Sequence, residues 1–183
     1  SLNLEESTIA LIESMNNSYN DTQTQIINYL KNQSVKPSYA KALGKTLSYY
    51  KAIDDVKLTC AIMLIQITTD DATNAMISAL DNSLEEIRTL FISSLDKRII
   101  PASNNGTLET LYNGYYYDDW DYDDPSKYPE VRRAAIRYIF RIGTSSFVRE
   151  AIYNMSNYNA DVSDEIAKQI MNVINGHYSY ELN

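Results

Sequence analysis

One cysteine, one histidine, five glycines and four prolines occur in 183 residues, and each scarcity removes a class of chemistry. A lone Cys60 makes no internal disulfide and no cysteine-based zinc site. A lone His177, the seventh residue from the end, removes most histidine-ligand metal sites and argues against a Ser/His or Cys/His catalytic pair. No run of about eighteen apolar residues occurs, so no membrane insertion is expected. Bases are short as well: 16 Lys and Arg stand against 24 Asp and Glu, a net charge of −8. That balance argues against nucleic acid as a partner, because binding a phosphate backbone needs a basic surface. Glycine-rich phosphate loops and nucleophile elbows are missing too.

What the chain does have is apolar residues at helical spacing along nearly its whole length. Ile9, Leu11, Ile12 and Met15 mark a first helix from about Leu4. Ile26, Ile27 and Leu30 mark a second, after the start signal Asn20-Asp21-Thr22. Pro37-Ser38 opens a third, carrying Ala40, Leu43, Leu47 and Tyr50. Asp54-Asp55 starts a fourth, Val56 to about Ile67, and Asp70-Asp71 a fifth, ending near Leu80. The breaks between them are short and polar, the lengths that join antiparallel neighbours rather than domains. The expected fold is all-α, with about nine or ten helices in a single domain over 1–183. Cys60, inside the run Thr59-Cys60-Ala61-Ile62, reads as a small buried hydrophobe.

Internal repetition is the strongest pattern. Asp55-Val56-Lys57, Glu86-Ile87-Arg88 and Glu130-Val131-Arg132 each set an acid, an aliphatic residue and a base at a helix start, with a looser fourth copy at Glu165-Ile166-Ala167. Apolar positions follow in phase: Ala61, Leu64 and Ile65; Ile92 and Leu95; Ile136, Ile139 and Phe140; Met171 and Ile174. The acid complements the positive end of the helix dipole, an effect of ~0.3–1 kcal/mol. The aliphatic residue faces the neighbouring helix pair, and the base reaches toward an acid of the next unit. A lone helical hairpin cannot cover its own apolar face, so hairpins of this kind stack.

The unit Asp55 to Ile65, a short turn, then Ala72 to Leu80 resembles a HEAT repeat, as does Pro129 to Ile139, a turn at Gly143-Thr144, then Phe147 to Ile152. The resemblance covers roughly 54–176, and residues 1–53 fit degenerate repeats or an N-terminal cap. It implies a right-handed α-α superhelix, a short solenoid of stacked antiparallel helix pairs. It also implies a non-catalytic protein- or peptide-binding scaffold, with a lyase-type enzyme of HEAT-like form as the rival reading. The competing description of the fold is an irregular helical bundle.

One segment, 112–125, breaks the pattern. It holds five aspartates, five tyrosines, the only tryptophan and no base. Asn113-Gly114 is a turn signal, and Asp and Tyr are poor helix formers. Three readings compete: a solvated acidic loop, a binding surface, and a calcium loop. In the second, Tyr115, Tyr116, Tyr117, Trp120 and Tyr122 give stiff amphipathic contact area while Asp118 and its neighbours attract a basic partner. In the third, Asp119, Asp121 and Asp123 occupy positions one, three and five of a twelve-residue frame ending at Glu130, as in loops that hold Ca²⁺ through oxygen ligands. Asp124 stands where that frame wants glycine, and Ser126 where it wants an aliphatic residue.

Arg133, Arg137 and Arg141 follow at four-residue spacing and share a helix face, with Arg132 and Arg149 nearby. Pairing with the acidic segment just upstream is their simplest destination. Paired carboxylates at Glu5-Glu6, Asp54-Asp55, Asp70-Asp71 and Glu85-Glu86 all stand near helix starts, where capping accounts for them without acid–base chemistry. Gly176 reads as a helix C-terminal stop ahead of His177.

Overall fold

The structure, a computed structural model, describes residues 4–113, 128–143, 145–153 and 160–177. Helix is the regular structure throughout, with no strand among the described residues. In chain order the α-helices are α1 (Leu4–Ser14), α2 (Asn20–Leu30), α3 (Ala40–Leu47), α4 (Asp54–Gln66), α5 (Asp70–Ser78), α6 (Glu85–Leu95), α7 (Asn105–Asn113), α8 (Pro129–Ile142), α9 (Ser145–Tyr153) and α10 (Ala160–Ile174). Among the described residues no helix is long and apolar enough to cross a membrane. Contacts group the chain into two compact units, Ser1–Ile99 and Ile100–Asn183.

The helix starts fall where local chemistry puts them. Asp54-Asp55, Asp70-Asp71 and Glu85-Glu86 lie in the first turns of α4, α5 and α6, where negative charge complements the helix dipole. Thr69 caps α5 with its hydroxyl, which accepts the Ala72 N–H at 3.4 Å. The aliphatic residues beside the acids, Val56, Ile87 and Val131, are all buried. At the far end, Gly176 takes φ +71° and lets the His177 N–H reach back to the Asn172 carbonyl at 2.9 Å, closing α10.

Within the first unit the helices pack in two rows. α3 packs against both α1 and α5, while α4 packs against both α2 and α6. Consecutive helices α3, α4, α5 and α6 also touch, which joins the rows. The contacts of α3 with α5 advance in step: Lys41 pairs with Asp71 at 3.6 Å, and Gly44 lies against Ala75. These two helices therefore run parallel. The helices of these rows fully bury Ile12, Leu43, Val56, Cys60, Leu64, Met76, Ile87 and Phe91.

Two polar side chains tie the loops of this unit. Gln23 is fully buried; its Nε2 donates to the carbonyls of Met15 (3.1 Å) and Ser18 (3.2 Å), and its Oε1 accepts the Ile53 N–H (3.1 Å). One amide thereby fixes the α1–α2 connection to the start of α4, whose Ncap residue Ile53 has no capping side chain. Arg98 donates to the carbonyls of Ile65 (2.8 Å) and Ile67 (2.6 Å), which close the C-terminal end of α4. Desolvation there pulls the Arg98 guanidinium below its ordinary value.

The second unit is built on α8, which packs against α7, α9 and α10. It buries Val131, Ala134, Ala135, Ile136, Tyr138, Ile139 and Phe140, far more than one stripe of its surface.

Three local expectations need correction. The third helix ends at Leu47, the last residue of its buried stripe, and Tyr50 stands exposed in the following turn. Glu165 does not begin a helix: α10 starts at Ala160, and Glu165 lies buried inside it beside a base and an amide. Met171 and Ile174 are exposed, because α10 turns Val162, Ile166 and Gln169 inward instead.

Candidate binding surface

The aromatic acidic residues singled out by composition, Tyr115, Tyr116, Tyr117, Asp118, Trp120 and Tyr122, lie outside the described residues. So do three of the four calcium-frame carboxylates, Asp119, Asp121 and Asp123. The fourth, Glu130, is half-buried in the first turn of α8, where it also complements the helix dipole. Among the described residues no three His, Cys, Asp or Glu side chains converge to hold a metal ion.

What the structure does place is the base from which this segment departs. α7 ends at Asn113 and α8 begins at Pro129, and the two helices pack closely on one another. Tyr112 is buried at the end of α7, and buried Arg132 donates its Nε–H to the Tyr112 carbonyl at 3.2 Å. Proline at the first position of α8 needs no partner for the N–H that it lacks. The two ends of the insertion are therefore cross-linked by a charged hydrogen bond to a helix-terminal carbonyl, the group that most needs a donor.

Arg132 thus serves a backbone carbonyl, a target that neither the acid–aliphatic–base triplet nor the acidic segment upstream suggested. Its counterpart in the earlier copy of the motif, Arg88, is also buried, and donates to the carbonyls of Asn82 (2.8 Å) and Ser83 (3.1 Å) in the turn before α6. In both copies the third residue of the acid–aliphatic–base triplet donates to a backbone carbonyl that comes before its own helix in the chain. The triplet was visible in the sequence; its carbonyl targets were not.

The remaining arginines of α8 divide as well. Arg137 and Arg141 lie over the ring of buried Tyr138, at 5.9 and 5.6 Å from its centre. Arg137 also approaches the Glu165 carboxylate of α10 at 4.0 Å. Glu165 accepts from Gln169, which in turn accepts from Asn172 at 3.1 Å, so a polar chain runs along the inner face of α10. A buried carboxylate is retained inside a helix when its oxygens are satisfied in this way.

An open groove of about 290 Å³ lies between α3 and α5, lined by Lys41, Lys45 and Ser48 on one side and Asp71, Asn74 and Ser78 on the other. Gly44 and Ala75 line it as well. Its charges are mixed, and Lys41 and Asp71 are already paired. Cys60 is fully buried, and burial pushes its thiol up to about 12, so it carries no nucleophilic chemistry at neutral pH.

No protein-family model, curated protein or solved structure matches the chain.

Proposed function

We propose that the chain is a short HEAT-like α-solenoid, a right-handed superhelix of antiparallel helix pairs. It serves as a non-catalytic scaffold for a protein or peptide partner of basic character. The observation that carries this reading is the row packing of the first unit, α1 on α3 on α5 and α2 on α4 on α6. Helix pairs stacked side by side produce that alternation, each helix touching the one two places along the chain. The parallel course of α3 and α5 agrees with it. So does the recurrence of a buried arginine, Arg88 and Arg132, at the same place in two copies of one motif.

The contact surface in this reading is the acidic aromatic segment, with Tyr116, Tyr117 and Trp120 as anchors and Asp118, Asp119 and Asp121 steering the encounter. The hydrogen bond of Arg132 to Tyr112 holds its base, which lowers the entropy lost when the segment engages a partner.

Trp120, the only tryptophan, makes the test direct. Short Lys- and Arg-rich peptides of varied sequence are titrated against the chain while its fluorescence is followed. Saturable changes are expected with a subset of peptides, lost in a variant carrying Asp118→Asn, Asp119→Asn and Asp121→Asn. No saturable response from any peptide, with unaltered circular dichroism, overturns the proposed surface.

A further inference from the structure

α4 is apolar on every side. Val56, Cys60, Ala61, Met63 and Leu64 are buried. The remaining arc, the one left open to solvent, carries Leu58, Ile62 and Ile65, spaced by four and three residues on one face. Ile62 is 42% exposed, and Leu58 and Ile65 are half-buried. The unit does not require such an outward face. In the other row, the groove between α3 and α5 meets water with Lys41, Lys45, Asp71 and Asn74. A helix that is apolar all round is ordinarily covered on all sides.

Carboxylates continue this stripe toward the start of α4. Asp54 and Asp55 precede Leu58 by four and three positions, so they share its face, and both are exposed. The starts of the flanking helices stand beside them. Gln23, one turn into α2, accepts the Ile53 N–H at the start of α4, and exposed Asp21 belongs to the first turn of α2. Arg98, just beyond α6, holds the Ile65 and Ile67 carbonyls, so α4 and α6 end together. Packed side by side, they run in the same direction, which brings exposed Glu85 and Glu86 to the same edge.

None of these five carboxylates is paired with a base among the described residues. Of the bases nearby, Lys51 lies over the Tyr50 ring, and buried Arg88 is spent on the carbonyls of Asn82 and Ser83. Lys57 is half-buried to one side of the stripe, about 60° round the helix from Asp54. A helix start carries roughly half a positive charge. Two carboxylates stand on α4 and two on α6, so the edge stays negative even with Lys57 counted.

We infer that this face of α4 docks an amphipathic helix of a partner protein, one whose apolar stripe is flanked by lysine or arginine. Its apolar residues cover Leu58, Ile62 and Ile65, and its basic residues meet the carboxylates at the starts of α2, α4 and α6. An acidic helix would meet like charge along that edge. The stripe sets where the partner lies, and the carboxylates, confined to one edge, set which way its basic side points. The surface includes no residue of 112–125 and binds whether or not that segment does.

The probe is a fluorescein-labelled peptide of leucine and lysine, with leucine at helical spacing, followed by anisotropy. Saturable binding is expected, weakened by salt. Ile62→Gln, which keeps a good helix former on α4, is expected to weaken it about tenfold. Asp54→Asn with Asp55→Asn is expected to weaken it and to flatten its salt dependence. The same peptide with glutamate for lysine is expected not to bind. Ser78→Gln, in the polar row, is expected to leave binding unchanged. In the chain carrying Asp118→Asn, Asp119→Asn and Asp121→Asn, binding is expected to persist and still to respond to Ile62→Gln. No saturable binding overturns the inference, as does equal binding of the glutamate peptide or indifference to Ile62→Gln. Binding lost altogether in the Asp118, Asp119 and Asp121 variant also overturns it, and assigns the peptide to the acidic aromatic segment. Circular dichroism of each variant separates lost contact from lost fold.

Discussion

Gly44 of α3 lies so close to Ala75 of α5 that a Cβ on Gly44 would stand 2.6 Å from the Ala75 Cβ. Glycine in a helix interior is unfavourable by about 1 kcal/mol relative to alanine, so local propensity alone would favour Gly44→Ala. The helix contact reverses that sign. Gly44→Ala is expected to destabilise the chain by about 1–3 kcal/mol, because the helices must separate to admit the methyl group. The double variant Gly44→Ala with Ala75→Gly relieves the clash and is expected to recover part of the loss. Denaturant titration of the two variants checks it, and a stabilised Gly44→Ala would show that α3 and α5 do not approach this closely.

Gln23 gives a second stability prediction. Gln23→Ala removes the acceptor of the Ile53 N–H and the donor to the Met15 and Ser18 carbonyls in one step. The expected cost is about 2–3 kcal/mol, most of it from buried backbone groups left without partners. Amide hydrogen exchange at Ile53 should accelerate more than exchange in the middle of α4. Equal acceleration along α4 would mean that the amide supports the core in general rather than this junction.

Cys60 predicts a pH dependence. Its thiol is pushed from an ordinary 9.0 to about 12 by burial, so only the unfolded chain ionises it between those values. The stabilisation is complete below pH 9.0 and is lost as pH rises toward 12. Stability of the unaltered chain should therefore fall more steeply above pH 9.0 than that of Cys60→Ala. Parallel curves for the two proteins would contradict the burial. At neutral pH the thiol should react with a disulfide reagent only at the rate of unfolding.

Calcium separates two readings of the insertion. The scaffold reading needs no metal, so peptide titrations followed through Trp120 are expected to superimpose in millimolar Ca²⁺ and in chelator, with an unchanged melting temperature. A rise in melting temperature with Ca²⁺, abolished by Asp119→Asn and Asp123→Asn, would instead assign Asp119, Asp121, Asp123 and Glu130 to the ion.

Much of the helix inventory was legible in the sequence, since its signals act within one turn. Asp54, Asp70 and Glu85 stand in the first turns of their own helices, and Gly176 takes the positive φ that glycine allows. The same short-range signal misplaces Glu165, because an acid beside an aliphatic residue looks alike at a helix start and in a helix interior. What separates the cases is Arg137 on α8, 28 residues earlier in the chain. The candidate site divides similarly. Composition alone marked the aromatic acidic segment, and the chain's order placed it between two helices.

Local sequence thus determined that the chain is helical, where most helices begin, and which segment departs from the pattern. Tertiary structure alone decided that Gly44 is a point of contact, that Arg88 and Arg132 serve carbonyls of preceding segments, and that Met171 and Ile174 face outward. The reason is range. Periodicity and capping depend on residues within a turn of each other, whereas a hydrogen-bond acceptor or a facing methyl group is supplied by a distant part of the chain.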